Sequence, residues 1–158
     1  MYILRNKIKK FLKLVLAVAL GLIILIAAAM NFSWDECVLK WQFDIGWNTK
    51  LSITEVYDDK GFHGDGERLY IVSFKGDDRS ALEKWESLPM SPRINGLIYG
   101  HNDELYSTAD RVGIPKVTSG KWKYIDRGVT STGYEAFNFS ICIYDDITEV
   151  IYYYTNDT

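Results

Sequence analysis

Cysteine and histidine are scarce in this chain, with two of each in 158 residues. No C-x-x-C, H-E-x-x-H or G-x-S-x-G occurs, and the glycine-rich stretch GFHGDGE does not follow the P-loop pattern. No complete motif for thiol redox, zinc proteolysis, serine hydrolysis or nucleotide binding is therefore present. Long blocks of like charge, internal repeats and low-complexity segments are also missing. The composition is nonetheless that of a folded chain: 47% of residues are apolar, and 11 Tyr and 5 Trp supply large side chains for a core.

The formal net charge of −3 hides an uneven distribution. Arg5, Lys7, Lys9, Lys10 and Lys13 form a basic tip, residues 1–13, without an acidic residue. Beyond it, 13 basic residues face 21 acidic ones, a balance of −8. An acidic domain argues against nucleic acid as partner, since that affinity comes mostly from Lys and Arg on phosphates. The tip precedes an apolar run, Leu14 to Met30, free of charge. At ~1.5 Å per residue, ~17–20 residues just cross a ~30 Å hydrocarbon core. The expectation is a transmembrane signal anchor over residues 14–31 of the cytoplasmic membrane. Basic residues collect on the cytoplasmic side, so the N-terminus is expected inside and residues 32–158 outside. A cleaved signal peptide is the rival, because Ala27 and Ala29 have the A-x-A spacing. The apolar run exceeds the usual ~7–15-residue signal core, which favours retention.

Both cysteines, Cys37 and Cys142, fall on the expected outer side. In an oxidising compartment they could form a disulfide worth ~4–5 kcal/mol in the chain-entropy model; two free thiols are the other reading. SWDE before Cys37 excludes a lipoprotein cysteine.

The outer segment reads as α+β. Ser33 and Glu36 make a capping box that favours a short helix beginning near Trp34, with Trp34, Val38, Trp41 and Ile45 on one helical face and the chain extended by Ile45. Read as a strand, Leu39, Trp41, Phe43 and Ile45 alternate with Lys40, Gln42 and Asp44. KLSITEVY (50–57) and ERLYIVSF (67–74) are β-rich and flank a loop. GDDRSALEKWESLP reads as a helix capped by Asp77 or Asp78, with Leu82 and Trp85 inward and Pro89 closing it. Residues 89–119 carry turn signals and small helical or strand pieces. GKWKYIDR (120–127), FNFSICIY (137–144) and EVIYYYTND (149–157) are strands. In the second, Phe137, Phe139, Ile141 and Ile143 share one face; Asn138, Ser140, Cys142 and Tyr144 share the other. Five strands without β-α-β alternation predict a mostly antiparallel sheet with one or two short helices on one face.

DDKGFHGDGE, residues 58–67, is the chemically richest stretch. Asp58, Asp59, Asp65 and Glu67 are oxygen donors suited to Ca²⁺, and Gly61, Gly64 and Gly66 allow tight backbone. The spacing is not that of an EF-hand, and His63 is one imidazole where catalytic zinc takes about three protein ligands. The plain alternative is a hairpin turn with solvating carboxylates. As a catalytic unit, His63 with Asp65 or Asp59 would be a base and its orienting partner. Ser107, Ser119 and Cys142 are the available nucleophiles. His101 sits in an apparent loop without obvious partner, and Asp126 and Arg127 suggest a structural ion pair. Tyr152–Tyr154 could offer phenols to a glycan or a membrane interface, although strand alternation favours at least one of the three packing into the core.

Several segments together, GFHGDGE, WESLP, IPKV followed by GKWKYIDR, FNFSICIYD and YYYTNDT, resemble a family of small uncharacterised bacterial proteins that often carry an N-terminal membrane segment. The resemblance spans roughly Phe43 to Thr158 and implies a shared fold, without an activity. Similar proteins show Asp-Thr-His-Gly-Gly ahead of FHGDG; here YDDKG stands instead and that histidine is missing, which weakens a paired-histidine site.

The leading expectation is a non-enzymatic binding or interaction module tethered at the cell envelope, with an envelope protein or glycan as partner and no cofactor. A metal-dependent hydrolase centred on Asp59, His63 and Asp65, using Ca²⁺ or Zn²⁺, is the alternative. It falls if His63→Ala and Asp65→Ala leave metal affinity and every activity intact. A small protective, immunity-like protein is the third reading, and crosslinking in cells would reveal its tight protein partner.

Overall fold

The computed structural model describes residues 13, 15–22, 33–61, 65–100, 107–128 and 138–157. The chain divides into two units, Met1–Cys37 and Val38–Thr158. In the first, Lys13 and residues 15–22 are helical, and Ser33 Oγ accepts from Glu36 N–H at 3.2 Å, as the capping motif predicts. Among the described residues no helix is long and apolar enough to cross a membrane. Most of the expected anchor, residues 14 and 23–31, lies outside them.

Helix α1 (Trp34–Gln42) leads to strands β1 (Leu51–Asp58) and β2 (Gly66–Phe74), a 3₁₀ turn (Ser80–Lys84) and the short β3 (Glu86–Ser87). Helices α2 (Pro92–Tyr99) and α3 (Thr108–Val112) follow, then β4 (Gly120–Asp126), β5 (Phe139–Asp145) and β6 (Val150–Asp157). The strands form one six-stranded antiparallel sheet in the order β1-β2-β6-β5-β4-β3. The last strand thus enters the middle, between β2 and β5, where it is hydrogen-bonded on both edges.

The sheet is covered on both faces, not one. On the first face Leu69, Ile141, Ile143, Tyr152, Tyr154 and Trp122 pack against Ile94, Ile98, Ala109 and Val112 of α2 and α3. On the second, Tyr70, Val72, Cys142, Tyr144, Ile151 and Tyr153 pack against Leu39, Phe43, Leu82 and Trp85. The alternation in β5 assigns its faces correctly. It does not reveal that Ser140, Cys142 and Tyr144 are as buried as Phe139 and Ile141. All three of Tyr152, Tyr153 and Tyr154 are likewise buried, so none is presented to a glycan or membrane.

Two local expectations change. The helix expected to run to Pro89 is a single 3₁₀ turn followed by β3. Trp85 holds the chain there: its indole N–H donates to Phe43 O at 3.0 Å, and its ring meets that of Phe43 edge-on at 5.9 Å. Leu39 of α1 and Phe43 just beyond its end point inward, whereas Trp34 and Trp41 are exposed. α2 and α3 begin where local chemistry requires. Ser91 accepts from Ile94 N–H before Pro92, and Ser107 forms a capping box with Asp110.

Candidate functional site

The β1–β2 loop closes tightly. Asp59 N–H donates to Glu67 O at 2.9 Å, Gly61 N–H to Asp65 O at 2.7 Å, and Lys60 N–H to the Asp58 carboxylate at 2.9 Å. Gly66 has φ +132°, and a Cβ there would lie 2.2 Å from Asp59 O, so this corner admits only glycine. His63 and Gly64 lie outside the described residues.

Of the carboxylates singled out in the sequence, Asp58 and Glu67 point to opposite faces of the sheet, while Asp59 and Asp65 sit in the loop between β1 and β2. Asp58 points to the second face, where Arg68 Nε donates to it at 3.1 Å. The Lys60 amide, with Arg68 adding to it, holds the Asp58 carboxyl below the usual carboxylate range. Glu67, one residue away from Arg68 along β2, points to the first face. Its Oε1 accepts from Tyr154 O–H at 2.7 Å and from Arg111 Nη2 at 2.8 Å, and Oε2 pairs with Arg111 Nη1. Adjacent strand residues face opposite ways, which is why one stretch feeds two networks. Among the described residues no group of three His, Cys, Asp or Glu could hold a metal ion.

The nucleophiles named from sequence are otherwise engaged. Ser107 O–H donates to Asp110 at 2.7 Å, and Ser119 O–H to Asp146 at 3.1 Å. Both cysteines are free thiols; Cys142 is fully buried, and burial pushes its thiol well above the ordinary range, away from reactivity. Asp126 and Arg127 do not pair with each other, because they too face opposite sides. Asp126 meets Arg93 of α2 at 3.9 Å, and Arg127 meets Asp157 at 2.6 Å. His101 lies outside the described residues.

What the structure gathers on the second face is a polar end that single segments do not announce. Asp157, at the end of β6, pairs with both Lys60 and Arg127. Arg127 also donates to the carbonyls of Phe139, at 3.0 Å, and Asn156, at 3.3 Å. Ser140 and Thr155 are directly cross-strand, both buried, and their hydroxyls have no hydrogen-bond partner among the described residues. Tyr153 stacks on Tyr70 at 5.4 Å, and Arg68 Nη1 donates to Tyr70 Oη at 3.3 Å. Burial pushes the Tyr153 phenol up and keeps it neutral. The sequence signal was alternation: Tyr153, Thr155 and Asp157 share a face of β6, as Arg68 and Tyr70 share one of β2. Their cross-strand register was not readable.

At the opposite end of the sheet an open cleft of about 560 Å³ lies between the 3₁₀ turn and the β5–β6 turn, bordered by Asp78, Arg79, Lys121 and Asp146. Asp78 there is held below the usual range, first by the Thr49 hydroxyl and then by Ser80.

Compared with protein-family models, curated proteins and solved structures, the chain finds no match.

Proposed function

We propose that this chain is a single-pass protein of the cytoplasmic membrane whose acidic α+β domain lies outside and binds an envelope protein or glycan. One observation carries the reading. Helical residues 15–22 are exposed along their whole length, including Val15, Leu16, Val18, Leu20 and Leu22. These positions encircle the helix, so no single packed face would cover them; a hydrocarbon phase would. The basic tip and the continuation of the apolar run to Met30 support the same reading.

For the binding surface, the polar end of the second face is favoured. Lys60, Arg127 and Asp157 meet there, and each keeps part of its side chain exposed to a partner's polar groups. Full-length chain in bacterial cells should resist carbonate extraction, and an impermeant maleimide should label Cys37 on intact cells. Release by carbonate, or labelling only after lysis, would refute the anchored topology. Glycan arrays and crosslinking with the chain in nanodiscs then distinguish the partner classes. Lys60→Ala with Arg127→Ala should abolish the interaction, and undiminished binding by that variant would exclude this surface.

A further inference from the structure

Three of the five tryptophans are exposed, Trp34 by 70%, Trp41 by 73% and Trp47 by 65%, whereas Trp85 and Trp122 are buried. Trp41 belongs to the last turn of α1, and Trp47 to the turn that follows it. Lys40 Nζ donates to Trp47 O at 3.1 Å, drawing that turn against the helix end. Leu39, Phe43 and Ile45 are buried on the sheet beneath. The two indoles therefore stand on a packed support, and among the described residues neither makes a ring contact or a side-chain hydrogen bond. So much aromatic surface left in water asks for an amphipathic cover.

We infer that Trp41 and Trp47 seat the domain on the bilayer surface, with their indoles at headgroup level. The inference rests on the anchored reading above. The apolar run ends at Met30, eleven residues before Trp41. At no more than ~3.6 Å per residue, Trp41 stays within ~40 Å of the membrane exit even if that segment were fully extended. A lipid interface is thus always within reach. It also suits the residue type, since tryptophan buries its ring among acyl chains while its N–H meets the polar headgroups.

The test uses the full chain in phosphatidylethanolamine/phosphatidylglycerol vesicles, with and without bromine on the acyl chains. Brominated lipid should quench part of the tryptophan emission, and Trp41→Ala/Trp47→Ala should lose most of that quenching. The substituted side chains are exposed, so near-UV circular dichroism should be unchanged; Trp47→Ala alone provides a milder variant. Carbonate washing of the same vesicles reads the anchor separately. Chain that is retained but equally quenched in wild type and double variant overturns the inference and leaves the anchor standing. Chain released by carbonate yet quenched through Trp41 and Trp47 before the wash keeps the inference and overturns the anchor. If these indoles become shielded from acrylamide in lipid-free detergent as protein concentration rises, a second copy covers them and the inference is wrong.

Discussion

Glu67 accepts from two donors that arrive from different elements, Arg111 of α3 and Tyr154 of β6. Removing the carboxylate leaves a buried phenol and a guanidinium without their acceptor, whereas removing the phenol leaves the ion pair intact. Glu67→Ala should therefore cost about 1–3 kcal/mol and Tyr154→Phe only about 1 kcal/mol. Urea denaturation reads both, and equal losses would show that the two contacts do not share Glu67 as described. A second residue-scale outcome concerns the thiols. Native chain should take one equivalent of maleimide, at half-buried Cys37, and a second at Cys142 only on unfolding. Mass spectrometry decides this; labelling of Cys142 in native protein would contradict its complete burial. Of these partnerships the sequence displayed only the types. Glu67 was visible as a loop carboxylate, but Arg111 lies 44 residues on and Tyr154 another 43, so nothing local brings them together.

At the scale of elements, the β1–β2 hairpin depends on one backbone conformation. Gly66→Ala meets the Asp59 carbonyl and forces φ +132° on a residue with a Cβ. The backbone strain alone is worth about 1–3 kcal/mol, and the clash adds to it. Gly76→Ala, with nothing within 4 Å of the added carbon, should stay within about 0.5 kcal/mol. Similar melting temperatures for the two variants would refute this account of the loop. The same hairpin bears on metal binding. Asp58 and Glu67 are each already held by a guanidinium, on opposite faces, so calorimetric titration with Ca²⁺ should give no saturable heat. Saturable binding abolished by Asp65→Ala would reinstate the loop as a metal site.

For the whole molecule, stability should be level across neutral pH and fall at both extremes. Asp58, Asp78 and Asp110 have folded values below the reference of 3.8, held there chiefly by hydrogen bonds from Lys60, Thr49 and Ser107. Their contribution is complete above pH 3.8 and is lost as pH falls through the folded values. Tyr99, Tyr124, Tyr153 and Tyr154 are raised above 10.0 by burial, Tyr154 to about 12 even with Arg111 opposing. Their contribution is complete below pH 10 and is lost as pH rises past it. The urea midpoint followed against pH should show these two shoulders, and a steep change near pH 7 would contradict both. Orientation in the membrane is testable at this scale too. Replacing Lys7, Lys9, Lys10 and Lys13 with Gln should lower the fraction of chains whose Cys37 is labelled from outside.

The strands were legible because alternation is a local, two-residue period: β5 and β6 could be placed, and the residues of β5 sorted onto its two faces, without a neighbour in view. The start of α1 was legible for a similar reason, since Ser33 and its capping partner lie within one turn. Composition likewise marked out the basic tip, the apolar run and the acidic remainder. Tertiary structure alone decided that β6 enters between β2 and β5, which buries both faces of β5 and makes Ser140 face Thr155. It also decided that Leu39 of α1 and Phe43 just beyond its end turn inward while Trp41 stays outside. Helical periodicity assigns residues to faces, but only the packing partner determines which face is covered, and that partner comes from far along the chain.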